Sequence, residues 1–177
     1  YAIKPRKDLG GRTIFNIIGP LSNPARAMSQ IIGVYDAKLT EVLANVLKNL
    51  GSKKAFVVWG LDKLDEITIT DRTKITELKD GDIKTYYVTP EEFGIRRASL
   101  EDIKGGSAKE NAQITLAILK GERGPKRDIV LMNVAAALVV DSKAKNFKEC
   151  IKKAENAIDS GKAMEKLNLL IELTSKI

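Results

Sequence analysis

The stretch QIIGVYDAKLTEVLANVLKNLGSKKAFVVWG, residues 30–60, decides the fold. QIIGVY (30–35) is a short apolar run of the kind that forms a buried strand. Asp36 is a good N-cap, and Leu39, Val42, Leu43, Val46, Leu47 and Leu50 follow at helical spacing. Gly51 supplies a stop at the position after the helix. AFVVWG (55–60) is β-rich, short and closed by glycine, so it reads as a second buried strand. Strand, helix, strand is a βαβ unit, which implies parallel pairing with a right-handed crossover.

Beyond this unit, EITIT (66–70), TKITEL (73–78) and IKTYYV (83–88) alternate or are β-branched. DR (71–72) and KDGD (79–82) separate them as turns, giving a meander or hairpin extension. Pro90 opens a short PEEF turn. The period then changes. Ser107 and Glu110 form a capping box ahead of NAQITLAILKG. Residues 127–141 read as a buried helix, with a strand as the alternative. Phe147, Cys150, Ile151, Ala154 and Ile158 define an amphipathic helix stopping at Gly161, and Leu167, Leu170 and Ile171 mark a last one. The expected fold is therefore α/β: a mostly parallel sheet, a β-meander or hairpin extension and a C-terminal helical cluster, in a single α/β domain over 1–177.

Bulk composition narrows the chemistry. The chain has 177 residues, 44% of them hydrophobic and 30% charged, as in a globular domain with a real core. There is no histidine and one cysteine, so the commonest general base is absent and zinc chemistry is nearly closed. A metal here would be hard and oxygen-bound, such as Mg2+. Cys150 fits a buried thiol and a reducing, cytoplasmic setting. The longest apolar-rich run, 129–140, is too short to span a bilayer. The net charge of +7 suits anionic ligands, but with 5% aromatic residues nucleic acid finds little platform for base stacking.

Three stretches carry candidate chemistry. GLDKLDE (60–66) follows the second strand directly, and ligands gather at the carboxyl ends of parallel strands. Asp62, Asp65 and Glu66 place three carboxylates there; a bound Mg2+ would relieve the repulsion between the adjacent pair. The alternative is a solvated acidic turn balanced by Lys63. LGGRTIFNIIGPLSNPAR (9–26), with Arg6 just before it, combines turn residues with Arg6 and Arg12, which could hold a carboxylate or phosphate. Either arginine could equally pair with internal carbonyls or acids. GGSAKENA (105–112) could hold an anion at a helix N-terminus or be a plain loop and cap. Asn133, inside an apolar helix, needs a hydrogen-bond partner.

Taken together, these motifs resemble a known family. R-x-x-L-G-x-R-T-I-F-N-x-x-G-P-L-x-N-P, Arg6 to Pro24, is similar to the hinge-to-core motif of the anthranilate phosphoribosyltransferases, within the nucleoside phosphorylase/phosphoribosyltransferase class III family. G-x-x-x-L-D-E, Gly60 to Glu66, resembles that family's metal motif, and GG-x-A-x-x-NA and N-x-AAAL match its C-terminal half.

The resemblance implies transfer of the 5-phosphoribosyl group of phosphoribosyl pyrophosphate to anthranilate, in tryptophan biosynthesis. It implies Mg2+ on Asp65 and Glu66, the anthranilate carboxylate on Arg6, Arg12 and Asn16 as braces, and a cytoplasmic homodimer in the full-length parent. Residues 1–35 would be a hinge and loop segment carrying RTIFN, GPL and NP. Two departures stand out: Lys63 replaces a common glycine, and Trp59 occupies a variable position beside the metal motif. The family's N-terminal helical domain and its GTGGD-type phosphate loop have no counterpart in the sequence, and no Met opens it. It reads as a piece of a longer protein, expected to be inactive alone. A nucleic-acid-binding relative on the same fold, without transferase activity, is the alternative that the charge suggests.

Overall fold

The computed structural model describes residues 16–24, 27–142 and 146–175. A short helix α1 (Ile18–Leu21) precedes strand β1 (Ser29–Gly33), helix α2 (Leu39–Asn49) and strand β2 (Lys54–Gly60). Strands β3 (Thr73–Lys79) and β4 (Asp82–Val88) follow, then a 3-10 turn at Pro90–Phe93. Helices α3 (Leu100–Ile103), α4 (Ala108–Leu119), α5 (Pro125–Val140), α6 (Phe147–Asp159) and α7 (Lys162–Thr174) complete the described order.

The sheet order is β1-β2-β3-β4. β1 runs parallel to β2, with Ile32 opposite Val57, as the βαβ reading requires. β2–β3 and β3–β4 are antiparallel. The α/β class, the hairpin extension and the helical cluster are as expected. The described sheet is mixed rather than mostly parallel, because the chain leaves β2 through a loop and turns back without a crossover helix.

Both faces of the sheet are covered, and β2 shows why its sequence is almost wholly apolar. Side chains alternate across a strand. Ala55 and Val57 therefore face a core formed with Ile32, Val34, Leu43, Ala44 and Leu47, on the α2 side. Phe56 and Val58 face the larger core, where Ile129, Met132, Ala135 and Ala136 of α5 meet Cys150, Ile151 and Ala154 of α6. Cys150 is fully buried, as its periodicity suggested. Val42 and Leu50, assigned by spacing to the apolar face of α2, are exposed; Thr40 is buried instead and satisfies its hydroxyl on Ala37 O at 2.9 Å.

Helix boundaries follow local chemistry. Asp36 acts ahead of α2 rather than at its first turn: its carboxylate accepts from Lys38 N at 2.9 Å. Gly51 and Gly161 take left-handed φ of +88° and +78°, closing α2 and α6 as expected. Residues 125–140 are helix, so the strand alternative for that run fails; Pro125 opens the helix where its missing N–H costs nothing. Leu170 and Ile171 of α7 lie exposed. No described helix is long and apolar enough to cross a membrane.

One buried charge ties the helical cluster together. Arg127, 4% exposed, donates to Asp159 through Nη1 at 2.7 Å and Nη2 at 2.9 Å, and to Gly121 O at 3.0 Å. The pair joins the start of α5 to the end of α6. Hydrogen bonds from Arg127 hold the Asp159 carboxyl below its usual range, and Asp159 pushes Arg127 upward. A depressed carboxyl contributes stability above its unfolded value and loses it as pH falls through the folded one. Asp159→Asn is therefore expected to melt lower than the parent at neutral pH, with the gap closing in acid. Thermal denaturation at the two pH values checks this; an equal gap at both would contradict it.

Candidate active site

Residues 61–72 connect β2 to β3 at the carboxyl end of the parallel pair. The loop is closed at its base by Leu61 N to Arg72 O at 2.9 Å. Its first turn is tight: Gly60 N donates to Leu64 O, and Lys63 N to Gly60 O, each at 2.8 Å. Lys63 adopts φ +77°, a left-handed value that glycine takes without penalty. The glycine that the resemblance expects here would meet that conformation without strain.

Asp62 points inward. Its Oδ1 accepts from Leu64 N at 3.1 Å, and its Oδ2 accepts short hydrogen bonds from the hydroxyls of Thr68 and Thr70. The fit leaves no room at Gly60, where a Cβ would lie 2.3 Å from Asp62 Oδ1. Asp62 is thus the loop's internal brace rather than a third exposed acid. Among the described residues no group of three metal-ligating side chains is assembled.

Residues 66–70, expected to form a strand, do not. The alternation of EITIT is real: Ile67 and Ile69 are fully buried in the larger core, while Thr68 and Thr70 turn to Asp62. The backbone pairs with no strand among the described residues. Thr68 N donates to Thr73 Oγ1 at 3.0 Å, Thr70 N to Thr68 Oγ1 at 3.0 Å, and Ala98 N to Ile69 O at 3.0 Å. Side chains and the backbone N–H of Ala98 satisfy what a ladder would have satisfied.

Between these anchors lie Asp65, exposed, and Glu66, half-buried. Neither joins an ion pair among the described residues, and nor does Lys63, so no direct contact with the lysine ties up either acid. Burial, then Asp65, then Asp62 push the Glu66 carboxyl above its ordinary value. A cation beside the pair would reverse that. Two adjacent acids fit Mg2+, which commonly takes one or two carboxylates and completes its shell with water and substrate phosphate.

The loop rests on β1. A Cβ on Gly33 would lie 1.5 Å from the carbonyl oxygen of Asp65, so only glycine admits this approach. The sequence reading passed over Gly33, although a glycine inside an apolar strand was the available signal. Asn133 finds the partners it needed: it accepts from Ile67 N at 3.0 Å, and donates to Ile67 O at 2.9 Å and Glu66 Oε2 at 3.3 Å. Its contact with a candidate ligand was not foreseen. Trp59 Nε1 is buried and has no hydrogen-bond partner among the described residues.

The other candidates fare differently. Arg6 and Arg12 lie outside the described residues. Asn16 is exposed at the start of the described part, and Ile17 and Leu21 pack on the α2-side core. The N-terminus of α4 is closed by its own side chains: Ser107 N donates to Glu110 Oε2 at 2.7 Å, Glu110 N to Ser107 Oγ at 3.4 Å, and Gly106 N to Asn111 Oδ1 at 2.8 Å. This supports the loop-and-cap reading over an anion site.

Residues 1–164 match the glycosyl transferase family, a/b domain. The chain belongs to this family. It is 52% identical over 175 residues to the anthranilate phosphoribosyltransferase of Acetivibrio thermocellus, covering 99% of this chain and 51% of that protein. Among the similar solved structures are two whose alignments cover 99% of this chain and 51% of theirs. Anthranilate phosphoribosyltransferase from Saccharomyces cerevisiae in complex with PRPP and Mg aligns with a TM-score of 0.88 at 33% identity. The same enzyme in complex with 4-fluoroanthranilate aligns at 0.87 and 32%. The chain spans about half the length of the curated relatives it matches.

Two outcomes follow from the loop geometry. Gly33→Ala is expected to displace Asp65 and cost on the order of 1–3 kcal/mol, the range for overpacking. Amide chemical shifts would move across residues 61–72 and stay in place in α6; unmoved loop signals would refute the contact. Lys63→Gly removes a left-handed penalty of roughly 1 kcal/mol, partly offset by glycine's greater unfolded freedom. Its denaturation midpoint is expected to rise slightly, and a fall would contradict the strain.

Proposed function

We propose that this chain is the metal- and anthranilate-binding part of an anthranilate phosphoribosyltransferase. The reaction forms a bond from the amino nitrogen of anthranilate to C1 of the ribose, breaks the bond from C1 to pyrophosphate, and releases a proton from nitrogen. The observation that carries the reading is the pair Asp65 and Glu66, adjacent, free of described ion pairs and seated on β1 at the carboxyl end of the parallel strands. The family membership and the similar enzymes support it.

In this reading Asp65 and Glu66 hold Mg2+. The ion, when bound, supplies positive charge to the pyrophosphate as it leaves. Arg6 would grip the anthranilate carboxylate bidentately, with Arg12 and Asn16 bracing the segment that aims it. No side chain of this region is assigned as an acid or base, in keeping with a sequence that has no histidine. The reading carries with it tryptophan biosynthesis, a homodimer of the full-length enzyme and a cytoplasmic location. The sequence has no GTGGD-type phosphate loop, so the 177 residues alone are expected to give no turnover with anthranilate, Mg2+ and phosphoribosyl pyrophosphate.

Calorimetry of a full-length protein carrying this region tests the acid pair. Asp65→Asn/Glu66→Gln is expected to weaken Mg2+-dependent binding of phosphoribosyl pyrophosphate at least tenfold, about 1.4 kcal/mol. Unchanged metal-dependent binding would remove the pair from the site. The net charge of +7 favours the second reading, a nucleic-acid-binding relative. That reading requires a DNA affinity falling steeply with salt and no affinity for either substrate.

A further inference from the structure

We propose that Asn133, on α5, is a positioning residue for Glu66; this rests on the metal reading above. The contacts of its amide define its orientation. Oδ1 accepts from Ile67 N at 3.0 Å. Nδ2 faces three oxygens: Ile67 O at 2.9 Å, Ile129 O at 3.0 Å and Glu66 Oε2 at 3.3 Å. Turning the amide over would set an N–H against the Ile67 N–H and an oxygen against three acceptors. Only one orientation satisfies the network.

The consequence is directional. Asn133 grips both polar groups of the Ile67 backbone and the carboxylate of the residue before it. Ile67 is fully buried, so the peptide cannot move without disturbing the larger core. The amide neither carries charge nor uses up Glu66, since it touches one carboxylate oxygen and no donor to the other is recorded among the described residues. Glu66 is thereby held to a packed helix while keeping capacity to bind a cation. Residues of this kind, behind a metal ligand, commonly tune affinity by 10–100-fold.

The test uses a full-length protein carrying this region, with phosphoribosyl pyrophosphate present and Mn2+ as the probe. Paramagnetic broadening of the amide signals of Asp65, Glu66 and Ile67 reports metal at the pair, and hydrogen exchange of the Ile67 amide reports the clamp. Asn133→Ala is expected to weaken the Mn2+ effect roughly tenfold and to speed Ile67 exchange. Asn133→Ser, whose hydroxyl is too short to span the contacts, should do the same and serves if the alanine variant does not fold. Met132→Leu, a volume-conserving change in the adjacent core position of the same helix, should leave the Mn2+ effect as it is.

Faster Ile67 exchange with unchanged Mn2+ broadening would reduce Asn133 to a structural brace and overturn the proposal. Equal weakening by Met132→Leu would overturn it too, by showing a general loss of order. Absence of Mn2+ broadening in the unmodified full-length protein with phosphoribosyl pyrophosphate bound would instead strike the metal reading itself, and the proposal with it.

Discussion

The carboxylate of Asp62 collects three hydrogen bonds from its own loop, from Leu64 N and the hydroxyls of Thr68 and Thr70. Hydrogen bonds to a charged acceptor contribute about 1.5–3 kcal/mol each. That offsets part of the roughly 1–2 kcal/mol of backbone entropy lost per residue in ordering an irregular twelve-residue segment, 61–72, and the burial of Ile67 and Ile69 in the larger core adds to it. The Asp62 contacts also ease a conflict within the sequence. Three acids in five residues repel if all face one way. Turning Asp62 inward onto donors takes one acid out of that conflict and leaves Asp65 exposed and Glu66 half-buried, the two acids that the proposed reading uses.

What the sequence made legible was the direction of side chains more than the partners of backbones. Apolar continuity in AFVVWG correctly implied a strand buried on both faces, because α2 covers one and α5 and α6 the other. EITIT carries strict alternation instead, and its isoleucines do point to the core, yet it is no strand. Period-2 alternation records an extended chain with two environments; it cannot say whether another strand or a set of side chains meets the N–H and C=O groups. Here Asn133, Thr68 and Thr73 meet them, and two of the three are distant or outside the segment.

The candidate site divides along the same line. Asp65 and Glu66 were visible as a spacing at a strand end, and Gly60 as its stop. Asp62 was visible as an acid but not as a brace, because its role depends on threonines six and eight residues ahead folding back. Asn133 was visible as a polar residue needing a partner, while the partner lies 66 and 67 residues away. Gly33 decides the height of the loop over β1 through a contact that only coordinates disclose.

The sheet's change from parallel to antiparallel bears on the chemistry. Had β2 led into a crossover helix, the positive end of that helix would sit where ligands gather and could meet an anion unaided. The return through 61–72 puts carboxylates there instead. At the start of α4, Glu110, Ser107 and Asn111 already engage the N–H groups of Ser107, Glu110 and Gly106. A pyrophosphate approaching Asp65 and Glu66 with nothing between would face repulsion of about 4 kcal/mol for each charge pair at 4 Å near a protein surface. A divalent cation reverses the sign of that interaction. On the proposed reading, the metal is therefore what converts an acidic strand end into an anion site, and the topology is what makes the conversion necessary.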